Sequence, residues 1–239
     1  MLFTIVVIVL SILLTRSITR PIAEVVKAAK EFTQGNTEVK VKITSSDEID
    51  ELGTAINEMI EKINHSNRER EKQNWLKTGL TELNDRMRGE LDHIQLAQRV
   101  INFLAEYLNA QIGAIYLHDQ NNTFKLIGSY AFTQRKNLSN KYKLGEGIIG
   151  QAALEKKSIL ISNVPDDYIK IQSGLGEARP KNILAIPLLF EGNVKGVIEL
   201  GSFYEFSETT LEFLERAMES IAISFNSAES RYRLQELME

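Results

Sequence analysis

Residues 142–165 read YKLGEGIIGQAALEKKSILISNVP. Gly145, Gly147 and Gly150 match G-x-G-x-x-G, the spacing of a dinucleotide-binding turn. That chemistry needs a buried strand just before the first glycine and a helix just after the turn. The preceding residues 140–143, NKYK, are too polar for a central strand. A kinase glycine loop needs a following lysine strand and a catalytic Asp and Asn, and that pattern is missing from this sequence. The glycines therefore read as a tight turn into a short helix. Ser158 to Ile161 then reads as a short strand.

Working outward, the same period recurs on both sides. Ile112 to Leu117 is a short apolar run suited to a buried strand, and Asp119 to Asn122 is a polar turn. Phe124, Leu126, Gly128, Tyr130 and Phe132 then alternate, which completes a hairpin. Downstream, Ile183 to Phe190 and Val194 to Leu200 flank Glu191-Gly192-Asn193 as a second hairpin. Pro187 in this strand requires an edge or non-donating position. Ser207 is placed to cap a last helix, with Leu211, Leu214, Met218, Ile221, Phe225, Ala228 and Tyr232 on one stripe. An antiparallel sheet flanked by helices is an α+β domain.

The segments QIGAIYLHD (111–119), 142–165 as quoted above, and NILAIPLLFEGNVKGVIELGS (182–202) resemble a GAF domain, over about residues 90–227. The resemblance implies either a small-molecule-binding domain or a dimerising spacer. The stretch YIKIQSGLGEARPK (168–181) is a candidate lid over a pocket, and Tyr130, Tyr168, Arg179 and Lys181 are the candidate pocket or lid residues. Cyclic-nucleotide-binding members of that family carry an Asn-Lys…Phe-x-x-x-Asp-Glu motif. After Phe206 this sequence continues Ser-Glu-Thr-Thr-Leu, so cyclic nucleotide is not supported. No cofactor is expected.

Upstream lies a charged, helix-forming run, HSNREREKQN (65–74), read as a solvated linker. Apolar heptads resume at Leu76, Leu80, Leu83 and Met87 and shift at Leu91 and Ile94, a stutter that locally unwinds a coiled coil. Ala97, Ile101, Leu104 and Leu108 continue the stripe. The expectation is one signalling helix across 68–108.

Two narrower stripes precede it. Ile18, Ile22, Val25, Ala29 and Phe32 step by +4, +3, +4, +3, and Ile49, Leu52, Ile56, Met59 and Ile63 by +3, +4, +3, +4. Pro21 sits in a first turn, Gly35 at a helix end, and Ser45 with Glu48 at capping-box spacing. Val39, Val41 and Ile43 alternate between the two helices. Two short helices with narrow stripes do not make a stable monomer, whereas a dimer gives a parallel four-helix bundle. RSITRPIAEVVKAAKEFTQGN (16–36), an extended connector and DEIDELGTAINEMIEKI (47–63) resemble a HAMP domain over about residues 16–67. Pro21 falls on the family's first-helix proline and Glu48 on the glutamate opening its second helix. Asp50 stands where the family usually has glycine. The resemblance marks Ile18, Ile22, Val25, Leu52, Ile56 and Met59, with Pro21, Gly35 and Glu48, as the relay residues.

The first residues, LFTIVVIVLSILL (2–14), are uncharged. A span needs about 20 apolar residues, so three readings compete: a signal peptide, a buried core helix, or the last part of a span. Arg16 and Arg20 follow the run, which favours the third, with a cytoplasmic C-terminal side. The chain has no cysteine, which excludes disulfides, thiolate metal sites and a cysteine nucleophile. A net charge of −4 does not recruit nucleic acid. His65, His93 and His118 lack the neighbours of a phospho-accepting histidine and the spacing of a metal pair, so they read as surface or packing residues.

The expected organisation is multidomain. The C-terminal part of a transmembrane helix occupies 1–15 and an all-α parallel coiled-coil module 16–67. The signalling helix covers 68–108, the α+β core 109–225, and a helix leading towards an output domain 226–239. The arrangement resembles the sensory half of a sensor histidine kinase, anchored in the inner membrane with residues 16–239 in the cytoplasm. The expected partners are a second copy of the chain, the membrane and a small molecule, and no catalytic residues or nucleic acid. A chemoreceptor, a cyclic-dinucleotide cyclase, a ligand sensor and a structural spacer are the alternatives.

Overall fold

The computed structural model describes residues 2–42, 48–119, 121–131, 140–164, 171–173 and 176–236. Two compact units divide the chain, Met1–Asn74 and Trp75–Glu239.

In the first unit, α1 (Leu2–Leu14) is apolar on every side and buries nothing. A π-helical turn, Thr15–Thr19, leads into α2 (Arg20–Thr33), with Pro21 in its first turn. Among the described residues one helix, Leu2–Thr33, is long and apolar enough to cross a membrane. At the end of α2, Asn36 N–H reaches back to Glu31 O at 3.1 Å and Gly35 N–H to Phe32 O at 3.0 Å, with Gly35 at φ +99°. This satisfies two carbonyls that the helix end would otherwise orphan. The connector then runs along α3 (Glu48–Arg86). Asn57 clamps it: Val41 N–H donates to Asn57 Oδ1 at 2.8 Å, and Asn57 Nδ2 donates to Val41 O at 3.0 Å. Asn64 Nδ2 donates to Thr37 O at 2.6 Å. Val25, Ala28 and Val41 are buried together, with Val39 and Ile56 against them. Ser45, the expected cap, lies outside the described residues.

In the second unit, α3 ends at Arg86 and α4 (His93–Tyr107) begins afresh. This corrects the expectation of one helix through 108. The apparent stutter is a break: Gly89 adopts φ +105°, and Asp92 caps α4 by accepting from Ile94 N–H at 2.9 Å and Gln95 N–H at 2.8 Å. An N-cap side chain in extended conformation restarts a helix at a defined residue, which no coiled-coil register requires.

The strands are β1 (Ile112–His118), β2 (Thr123–Tyr130) and β3 (Lys141–Lys143). After α5 (Gly147–Glu155) come β4 (Ile159–Ser162), β5 (Ile171–Ser173), β6 (Gly176–Ala178), β7 (Asn182–Phe190) and β8 (Asn193–Ser202); α6 (Glu208–Glu236) closes the chain. Six strands form one antiparallel sheet in the order β3-β2-β1-β8-β7-β4, and β5 pairs with β6. The central strands β1 and β7 are buried almost throughout, because both sheet faces are covered. Pro187 pairs with Val197 on β8, while pairing with β4 stops at Ala185, so its missing N–H is tolerated. Helices α4 and α6 with the last turns of α3 cover one face through Leu83, Leu104, Phe213 and Ile221. The other face carries α5, through Ile149, Ala152 and Ala153.

Candidate functional site

The relay residues divide into two sets. Val25 is buried and Ile56 half-buried against their own chain. Ile18, Ile22, Leu52 and Met59 are each more than 40% exposed, with Ile63 close behind, and Val26, which the expected seam did not include, is exposed beside them. The expected seam is thus split between neighbouring helix faces, one closing the α2–α3 pair and one uncovered in a single chain. A face of large aliphatic side chains on two adjacent helices is costly in water and suits a second copy. Glu48 opens α3.

The glycine turn does not cradle a ligand. Gly145 N–H donates to Gly150 O at 2.8 Å, Gly150 N–H to Glu146 O at 2.9 Å, and Lys143 N–H to the Glu146 carboxylate at 2.7 Å. A Cβ on Gly150 would lie 2.1 Å from Lys143 O, so only glycine fits where the turn folds onto α5. The backbone donors of Lys143, Gly145 and Gly150 are therefore used within the turn.

The sheet face under α5 holds a different arrangement. Glu199 on β8 lies opposite Ala114 of β1 and Ala185 of β7. Ser129 extends that row beyond Ala114, and Ile159 beyond Ala185. Tyr116, two residues along β1 from Ala114, points to the same face and hydrogen-bonds Glu199. Tyr142 of β3 hydrogen-bonds Tyr116 and stacks edge-on to it at 5.4 Å. With Glu199 ionised, Tyr116 O–H donates to the carboxylate and accepts from Tyr142. Burial pushes the Glu199 carboxyl up to about 7, and Tyr116 only partly offsets it. The Tyr142 phenol is raised by burial and by the nearby charges of Glu199 and Glu146.

A separate groove of about 890 Å³ opens at the far end of the sheet, lined by His93, Ile94, Lys195, Phe225, Glu229 and Tyr232 among others. Its polar groups already serve one another: Lys195 Nζ meets Glu229 at 3.1 Å, Arg233 also pairs with Glu229, and His118 Nε2 meets Asn122 Oδ1 at 2.9 Å. Among the described residues no cluster of His, Asp or Glu is arranged to hold a metal.

Of the residues expected at a pocket, Tyr130 packs against the helix-side core, on the sheet face away from Glu199. Arg179 and Lys181 are exposed just before β7, and Lys181 N–H donates to Ser202 O at 2.8 Å. Tyr168 lies outside the described residues. Sequence reading missed Glu199, Tyr116 and Tyr142. The signal was there: Glu199 is an acid in the apolar strand VKGVIELGS, two residues from buried Val197, and even a half-buried carboxylate loses hydration that its neighbours must replace.

A GAF domain family model matches residues 90–226, more than half of the chain, and the chain belongs to the GAF domain family. A HAMP domain model matches residues 13–65. The two together make this a signal-transduction relay and sensor region. The GAF domain of a Coxiella burnetii phosphoenolpyruvate-protein phosphotransferase is similar at 20% identity and TM-score 0.56, covering 66% of this chain and 96% of that one. Its Acinetobacter counterpart is similar at 17% identity and TM-score 0.53, covering 68% and 97%. A free methionine-R-sulfoxide reductase from Neisseria meningitidis, solved with its substrate, is similar at 19% identity and TM-score 0.53, covering 65% and 91%. At such identities the likeness is one of fold. No curated protein matches the chain.

Proposed function

We propose that this chain is the relay and sensor region of a membrane-anchored homodimeric receptor of the sensor histidine kinase type. The observation that carries the reading is the set of uncovered residues Ile18 in the π-helical turn, Ile22 and Val26 on α2, and Leu52, Met59 and Ile63 on α3. Pairing two copies through it gives a parallel four-helix bundle directly after an apolar helix. Arg16 and Arg20 hold the bundle on the cytoplasmic side of an inner membrane. A stimulus shifts the apolar helix, the bundle repacks between two arrangements, and α3 passes the change to the GAF domain. Such coupling needs two discrete states that the input biases. The last helix, α6, hands the change to a kinase module.

The test is the solution mass of residues 16–239 across a dilution series. A persistent dimer supports the relay; a stable monomer refutes it. The kinase assignment is tested on the full-length protein from its native source, which should take up acid-labile phosphate from ATP.

A second reading, that the GAF domain takes a small molecule as its own input, is favoured by Glu199, Tyr116 and Tyr142 on the face under α5.

A further inference from the structure

Two irregularities of strand pairing shape the groove at the end of the sheet. The β1–β8 ladder ends at Leu117 and Gly196, and the groove opens beyond that pair, between the tips of the β1–β2 and β7–β8 hairpins. Each hairpin carries a one-residue bulge near this end. Ile115 pairs with Gly128 and Tyr116 with Leu126, which leaves Ile127 as the extra residue. Leu188 pairs with Gly196 and Leu189 with Val194, which leaves Lys195. Both extra residues line the groove. A bulge re-aims a side chain, and Lys195 turns to the helix side, where it meets Glu229 of α6 at 3.1 Å. Lys125 lies opposite Leu117, which packs on the helix-side core, so it faces the same side.

The walls of the groove are apolar where they meet water. Ile94, Leu144, Leu154 and Tyr232 all line it and are 42–57% exposed. Its charges are unbalanced: among the described residues lining it, Lys125, Lys156, Lys195 and Arg233 are cationic, and Asp119 and Glu229 anionic. Glu229 serves Lys195 and Arg233 at once. Lys156 Nζ donates to the neutral Gly192 carbonyl at 2.7 Å. Asp119 is turned into its own loop, accepting from Asn121 N–H at 2.9 Å and Thr123 N–H at 3.0 Å.

We propose that this groove binds a small amphipathic anion, with its head group against Lys195 and Lys125 and its apolar body along Ile94, Ile127 and Tyr232. This rests on the reading of the GAF domain as a ligand sensor, and it places the ligand at the end of the sheet rather than under α5. A volume of about 890 Å³ suits a small molecule. A cationic ligand would meet a surplus of its own sign. A neutral apolar one would cover the walls and leave that surplus uncompensated. An anion supplies the charge that Glu229 alone divides between two cations, through charge-assisted bonds. It competes with Glu229 for Lys195, so binding acts on the last turns of α6.

The experiment uses the whole chain in lipid nanodiscs. Its probes are carboxylates, sulfonates and phosphate monoesters carrying butyl, hexyl or phenylethyl groups, each beside the matching neutral alcohol, scanned by thermal unfolding. Stabilisation follows mass action, so a probe at a large excess over its Kd raises Tm by several degrees. The expected result is that at least one anion stabilises the chain and its alcohol does not. Lys195→Gln should weaken that anion about ten-fold. Glu229→Gln breaks the same ion pair but should tighten the anion, because Lys195 is released and the competing carboxylate is gone. A merely structural role for the pair would move both variants the same way. Ile94→Glu, at an exposed rim position, should abolish binding and leave the Tm of the free chain unchanged. Alcohols that stabilise as well as the anions overturn the anion assignment and leave the sensor reading standing. Binding lost in Glu199→Gln but unchanged in Lys195→Gln and Ile94→Glu overturns the groove and puts the ligand under α5. Binding unaltered in every variant overturns the groove as well. No stabilisation by any compound overturns both the groove and the sensor reading.

Discussion

The phenol of Tyr107 on α4 donates a hydrogen bond of 2.7 Å to the backbone carbonyl of Trp75 on α3. The Trp75 and Tyr107 rings stack with centroids 4.9 Å apart, and Phe213 of α6 meets Trp75 edge-on at 5.5 Å. Three helices are tied at one point. A Cβ on Gly79 would come within 2.4 Å of the Tyr107 ring, so α3 approaches this cluster as closely as a backbone can.

Removing the tie should loosen the last turns of α3 from the GAF core. Tyr107→Phe should cost about 1 kcal/mol by deleting a partly buried hydrogen bond. Gly79→Val should cost more than that, because the ring has to move. Chemical denaturation followed by Trp75 fluorescence reports both directly.

The uncovered stripe predicts which residues of two copies meet. The chain has no native cysteine, so single cysteines give unambiguous cross-links. Met59→Cys and Ile22→Cys should form intermolecular disulfides on mild oxidation in membranes. Glu61→Cys, on the side of α3 that pairs with Lys40 at 3.7 Å, should not. Equal cross-linking at all three positions would contradict the bundle.

Glu199 makes stability depend on pH in a defined direction. The folded chain keeps the carboxyl protonated up to about 7, against 4.5 for the free group. Between those values the folded state binds more protons, so stability falls as pH rises through the window and levels off above it. The loss is on the order of 3 kcal/mol. Glu199→Gln should flatten the profile and be the more stable form at pH 8, as read by urea midpoints.

Asp92 is the device that starts α4. Asp92→Ala removes two backbone-capping bonds and should cost about 1 kcal/mol. Asp92→Asn should recover most of it, because the amide oxygen still caps. Hydrogen exchange at Ile94 and Gln95 should rise in the alanine variant alone.

Much of the architecture is legible in local pattern. Alternation marks the two hairpins, and heptad steps mark the helices, because both periods follow from backbone geometry alone. The break at Gly89 and Asp92 was also written in residue type, a glycine followed by a good N-cap, yet an apolar stripe running across it masked the signal. The site was harder to read. Tyr130 alternates with Phe124 and Leu126, yet a register shift in the β1–β2 pairing between Ile115 and Tyr116 interrupts the alternation. Tyr130 ends on the helix-side core, whereas Phe124 and Leu126 stay under α5.

The sequence by itself determined the order of an apolar helix, two heptad stripes and an α+β domain, since propensity and periodicity are local properties. Only the tertiary structure decided which face of each stripe its own chain covers. Val25 and Ile22 sit three residues apart on one helix, and packing against α3 buries one and leaves the other open. It also decided the surroundings of Glu199. Its neighbour Ala185 comes from the adjoining hairpin strand, whereas Ala114 lies far away in sequence and reaches it only through strand register. The cost of burying a charge, and hence its use, depends on what stands beside it in space.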